Sequence, residues 1–230
     1  MDLKSLRPAS DFAAMYGCKA LIYGPPGSGK TPLINTAPRP LMLACEPGLL
    51  SMRGSKVPTY PAFTGDAIDD FFKWFFGSTE TKNFDTIAVD SVSQLCEIYL
   101  TDLMTGKSKS GQKIHGMVAY GTMATKVKEH LSGLYFTQNK HTYLIAKQES
   151  YEDNGMRIKR PWFPGKQLPI DIPHMYDAVL QLDTQNVPGH GQQKAFRCIG
   201  SIDVVARNRT GTLAEFEYPD FSAIVKKVMM

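Results

Sequence analysis

The plainest chemical pattern in the chain is GPPGSGKTPL, in which Gly24, Gly29, Lys30 and Thr31 fit GxxxxGK[ST] in full. Glycines at these places let backbone N–H groups turn inward around an anion. The N-terminus of a following helix adds partial positive charge, a lysine reaches terminal phosphates, and a threonine hydroxyl can hold magnesium. Gly24, Pro25, Pro26, Gly27, Ser28, Gly29, Lys30, Thr31 and Pro32 are therefore expected to cradle the phosphates of a nucleotide. The alternative is a tight Gly-Pro turn that merely matches. Asp90 ends the run DTIAVDS and should hold the magnesium with Thr31, assisted by Ser91, unless it only caps the next helix. Glu46 follows RPLMLACE on the same edge and is the candidate base for an attacking water, although its spacing also allows an ordinary loop carboxylate.

Pro32 is the irregular member of this set. It lacks an N–H at a helix start where related loops touch the α-phosphate. If the helix begins near Gly29 or Lys30, Pro32 lies in its first turn, where N–H groups have no intrahelical partners, and the fold loses little. The expectation is a normal grip on the β- and γ-phosphates and a weak one on the α-phosphate. Pro38 should end the helix after about eight residues, roughly 12 Å.

The elements that must position these groups read as strands linked by crossover helices. Strands are predicted over 19–24, 39–46, 85–91 and 141–148. Helical spacing joins Ile68, Phe71, Phe72 and Phe75, with Asp66 as N-cap, then Val92, Leu95, Ile98, Tyr99 and Leu103, then Met123, Val127, Leu131 and Leu134. This is a doubly wound, mostly parallel α/β sheet. From about residue 176, YDAVLQLD, KAFRCIG and DVVARNR read as short antiparallel strands extending it. The polar stretches 106–116 and 149–169 are the expected mobile segments.

With 230 residues and 43% hydrophobic side chains, the chain is expected to hold a short N-terminal segment, 1–18, and one domain over 19–230. A net charge of only +4 means that any attraction to nucleic acid must come from local patches. Two such patches exist. RIKRPWF joins cations for phosphates to rings for base stacking, and KSKSGQK is a lysine-rich run; a surface hairpin with its rings packed inward and a solvated loop are the plain alternatives. Cys18, Cys45, Cys96 and Cys198 lie far apart with no CxxC, against a zinc site or a disulfide framework. There is no long apolar run, so a cytoplasmic protein without membrane contact is expected.

GPPGSGKT, ACEPG, TIAVDSVSQL, LIAKQE and VVARNRTGTLAEF occur in an order that resembles the RecA-like P-loop ATPases. More narrowly, the chain resembles the small phage single-strand annealing proteins of the Sak type. The resemblance runs from roughly residue 17 to 217 and implies ATP and Mg2+ as cofactors. It makes Glu46 the catalytic carboxylate and Gln148 a sensor of the γ-phosphate. It places DNA-facing loops at Lys107, Lys109 and Lys113 and at Arg157, Lys159, Arg160, Trp162 and Phe163. Arg207 and Arg209 would reach into the ATP site of a neighbouring copy. The implied function is ATP-driven assembly on single-stranded DNA for annealing or recombination in an infected bacterial cytoplasm, as a filament or ring, with a single-strand-binding protein as a further partner. The other reading is a nucleotide-gated loader with little hydrolysis. The family's polymerising helix is short or missing here, with Phe12 as the candidate anchor, and nothing resembles the large C-terminal domain of full recombinases.

Overall fold

The structure, a computed structural model, describes residues 6–13, 15–107 and 111–230, so the expectation for Lys109 lies outside the described residues. A short helix α1 (Ala9–Ala13) buries none of its residues and precedes the sheet. The centre of the sheet is β1 (Lys19–Gly24), KALIYG, buried along its whole length. A strand without a polar face needs cover on both sides, which crossover helices supply.

Around it stand β2 (Pro40–Ala44), β3 (Thr59–Pro61), β4 (Thr86–Asp90), β5 (His141–Asp153) and β7 (Ala178–Val187), all parallel to their neighbours in the order β7-β1-β5-β4-β2-β3. Their carboxyl ends therefore share one edge. Helices α2 (Gly65–Gly77), α3 (Val92–Thr105), α4 (Gly116–Phe136) and α5 (Leu168–Met175) bury their apolar stripes against one face. All the positions expected from helical spacing are buried, from Ile68 to Leu134. The other face is covered by a 3-10 helix (Pro32–Thr36) and by α6 (Phe221–Met229), where Phe221 meets Tyr143 edge-on at 4.7 Å. No described helix is long and apolar enough to cross a membrane.

Several expectations need correction. The helix after the phosphate loop is a five-residue 3-10 helix, not an eight-residue α-helix. Pro32 cannot bond back, Ile34 N–H bonds to Thr31 instead, and Pro38 holds Ala37 extended at ψ 147°. The N-cap of α2 is Thr64, whose hydroxyl accepts from Ala67 N at 3.2 Å; Asp66 sits inside the first turn.

Strand β7 is not antiparallel to the core but pairs with β1 in parallel, Leu21 opposite Val179. Its first half is buried throughout, as a core strand is, while its second half alternates and pairs with β8 (Gly191–Arg197). The antiparallel extension is confined to β8, β9 (Arg207–Asn208) and β10 (Phe216–Glu217). Within 149–169, the first part is ordered as a hairpin: β5 runs on to Asp153 and returns as β6 (Met156–Pro161). Its turn uses Asn154 at φ 50° and Gly155 at φ 77°, the left-handed pair that a tight hairpin demands.

At the amino edge of the sheet, cations tie down helix ends. Lys19 is fully buried, and its Nζ donates to the carbonyls of Leu134, Thr137 and Lys140 at 2.9, 3.1 and 2.9 Å, closing the C-terminus of α4. Burial pulls its pKa down to about 8, so the amine stays largely protonated at neutral pH.

Candidate nucleotide site

The phosphate loop leaves β1 at Gly24, where a Cβ would stand 2.1 Å from the Leu182 carbonyl of β7. Only glycine fits there. Gly27 and Gly29 take φ of 77° and 97°, which turns the loop back over the end of β1. Lys30 Nζ donates to the carbonyls of Gly24 and Pro25 at 2.8 and 2.9 Å, and to Ser28 Oγ at 3.4 Å. Burial lowers its pKa, against the opposing pull of Asp90, Glu46 and Asp183.

The parallel register brings the acidic groups to this loop. Asp90 ends β4 opposite Ala44 of β2, and Cys45 N bonds to its carbonyl at 2.7 Å. Thr31 Oγ1 donates to Asp90 Oδ2 at 2.6 Å. Glu46 lies just beyond β2, and its Oε1 accepts from Ser91 Oγ at 2.6 Å, while the same hydroxyl accepts from Gln94 N to cap α3. Burial raises the Asp90 pKa to about 6, with the Glu46 carboxylate acting in the same direction and the Thr31 and Lys30 contacts opposing it.

A cleft of about 410 Å³ joins Gly24, Gly27, Lys30, Thr31, Glu46, Asp90 and Gln148, and adds Lys147. Gln148 accepts from Gln181 Nε2 at 2.9 Å, and Gln181 in turn accepts from Gln185. Lys147 reaches Gln94 and Glu97 on α3, at 2.9 and 2.5 Å. It stands beside Gln148 in LIAKQE, and only its neighbour drew attention in the sequence. A larger hollow of about 680 Å³ lies beside β3, walled by Tyr60, Phe71, Trp74 and Phe84. It shares no residue with the phosphate loop, so chemistry rather than size identifies the site.

The hard oxygens of Thr31 and Asp90 suit magnesium, which favours one or two protein oxygens together with phosphate and water. Among the described residues no group of three His, Cys, Asp or Glu could hold a metal alone, so these two would share the cation with the ligand's own phosphates.

The other expected residues lie elsewhere. Lys107 and Lys113 are exposed between α3 and α4. Arg157 is exposed on β6, and Lys159 half-buried beside it. Arg160 pairs with Glu149 at 2.7 Å and stacks on Tyr151 at 4.0 Å. Trp162 is half-buried, with Lys147 Nζ 5.6 Å from its ring centre. Phe163 is 2% exposed, part of the core under the helical face, and in this position cannot stack on a base. For Phe163 this is the inward-packed alternative that the sequence left open.

Arg207 and Arg209 occupy the amino edge, away from Lys30. Arg207 donates to the carbonyls of Pro173 and Tyr176, and Arg209 to those of His174 and Met175, so both close the end of α5 within their own chain. Arg209 also lies 3.5 Å from Asp177. Neither can serve the site of its own chain; Arg209 is exposed and Arg207 half-buried.

A phosphate loop after the central strand, a carboxylate ending the second strand away, and the order β7-β1-β5-β4-β2 define a RecA-like P-loop NTPase core. A family model described as an AAA domain matches residues 17–210, and the chain belongs to that family of ATPases. No curated protein matches it. Among solved structures, it is similar to a KaiC-like protein from the hyperthermophilic archaeon Pyrococcus horikoshii, with 14% identity over 79% of this chain and 77% of that one and a TM-score of 0.44.

Proposed function

We propose that the protein hydrolyses ATP with magnesium and couples that reaction to single-stranded DNA, promoting annealing or recombination. Lys30 and the loop N–H groups hold the β- and γ-phosphates, and Thr31 and Asp90 hold the cation. Bound magnesium neutralises charge on the phosphate oxygens. Glu46 accepts a proton from the water that attacks the γ-phosphorus, as the bond to the β-phosphate oxygen breaks and ADP leaves. Ser91 orients Glu46 from behind.

One observation carries the DNA half of this reading. β5 runs without a break from Gln148 in the cleft into the hairpin whose return strand bears Arg157 and Lys159. A group that would sense the terminal phosphate thus shares one strand with a hairpin whose return strand carries Arg157, Lys159 and Arg160, with Glu152 and Glu149 opposite the two arginines. On the family pattern, a neighbouring copy in a filament or ring supplies Arg209, and Arg207 once released from its carbonyls. The same pattern suggests a phage protein acting in the host cytoplasm beside a single-strand-binding protein.

Single-stranded DNA should raise the rate of ATP hydrolysis, most at low salt. A rate indifferent to DNA at every salt concentration would remove the DNA half. Glu46→Gln should lower turnover at least a hundredfold while ATP still binds. Little change would favour a nucleotide-gated loader.

A further inference from the structure

The phosphate loop has a second lysine above it. Lys194, on β8, lies opposite Thr184 of β7 and projects over the loop, with Nζ 3.5 Å from the Gly27 carbonyl. A Cβ on Gly29 would meet the same Nζ at 3.5 Å. That distance is at the limit of a hydrogen bond, so the ammonium is near the loop without being fixed to it. Lys194 is exposed and, among the described residues, has no ion pair.

The strand order decides which part of a nucleotide this charge faces. Asp90 and Glu46 stand on the β4 and β2 side of the loop, and Lys194 on the β7 and β8 side. A ligand whose γ-phosphate faces the carboxylates turns its inner phosphates away from them. On the α-phosphate the loop is a donor short, because Pro32 opens the 3-10 helix without an N–H. We infer that Lys194 is a second phosphate-contacting lysine, replacing on the α-phosphate the donor that Pro32 removes.

This inference rests on the reading of the cleft as a nucleoside triphosphate site. Its test measures the binding of ATP and ADP, each with magnesium, to the wild type, Lys194→Ala and Lys194→Arg by calorimetry, alongside steady-state turnover and a thermal melt. The expected result is that Lys194→Ala raises both Kd values by a similar factor of about ten, the size of one charge-assisted contact. Arginine restores most of the affinity, and the melting temperature does not move. A residue that merely braced the loop would change the melt, and arginine would not rescue it. Unchanged affinities in Lys194→Ala, with a wild type that binds both nucleotides, would overturn the inference alone. A loss confined to ATP would also overturn it, by placing the charge at the γ-phosphate. A wild type that binds neither nucleotide would overturn the reading of the cleft and this inference together.

Discussion

Two lysines bracket β1 and use the same chemistry to opposite ends. Lys19, at its start, gives its ammonium to two carbonyls at the end of α4 and to that of Lys140 just before β5, and is sealed from water. Lys30, just past its end, gives its ammonium to two carbonyls of an open loop beside a cleft. The partners differ in what else could satisfy them. Carbonyls packed around a buried ammonium have little access to water, although Leu134 O keeps a second donor in Thr137 N at 3.3 Å, whereas loop carbonyls at a cleft could turn to water if the lysine moved to a phosphate. Structural and functional cations are therefore told apart by whether their partners can release them.

The contrast can be broken at either lysine. Lys30→Ala should weaken nucleotide binding about a hundredfold, the loss of strong charge-assisted contacts, while the melting temperature of the free protein stays the same. A large fall in that temperature would make Lys30 structural as well. Lys19→Met should lower the unfolding free energy by about 2 kcal/mol in urea, since it removes the shared donor of three carbonyls, yet leave nucleotide affinity intact in the folded protein. If it melts with the wild type, the sealed edge is not what holds α4.

Asp90 sharpens the same comparison through pH. Its pKa of about 6 in the folded chain lies above the ordinary carboxylate value near 4, so the folded state binds the extra proton. Stability from this group is complete below about pH 4 and is lost as pH rises through about 6. Magnesium-dependent nucleotide binding should run the other way, falling as pH drops through about 6, because the cation needs the carboxylate. Asp90→Asn should raise the melting temperature by about 2–4 °C at pH 7 and by less at pH 4, and should abolish the pH dependence of binding. A variant no more stable at pH 7 than the wild type would contradict the assigned cost of burying this charge. The smallest effect is expected at Pro32→Ala, which restores one donor and should tighten ADP binding only a few-fold; weaker binding by calorimetry would show that the proline helps the loop.

How much of this was legible depended on whether the signal was local. Lys30 and Thr31 fall in one contiguous motif, and Asp90 and Glu46 stand where buried runs end, so strand order alone brings them to one edge. The helices followed their apolar spacing, but their caps did not: Thr64 wins over Asp66 because it is the residue with extended backbone before the first turn. The hairpin of β5 and β6, the alternative left open for RIKRPWF, carried a visible Asn154-Gly155 signal. The direction of β7 was hidden because one strand serves two sheet regions with different burial patterns. Lys194 had no local signal, since it meets a loop 167 residues away in the chain.

The five-residue 3-10 helix behind the phosphate loop has a consequence for how the protein responds to its medium. A long α-helix would aim a row of aligned peptide dipoles at the phosphates, a fixed charge that needs no mobile side chain. Here that row is short, and exposed side-chain charge has to do more of the holding. Such charge is readily screened by salt. Nucleotide affinity should therefore decline with ionic strength more steeply than in proteins whose phosphate loop is backed by a full helix, which makes the salt of the surrounding solution a control on occupancy.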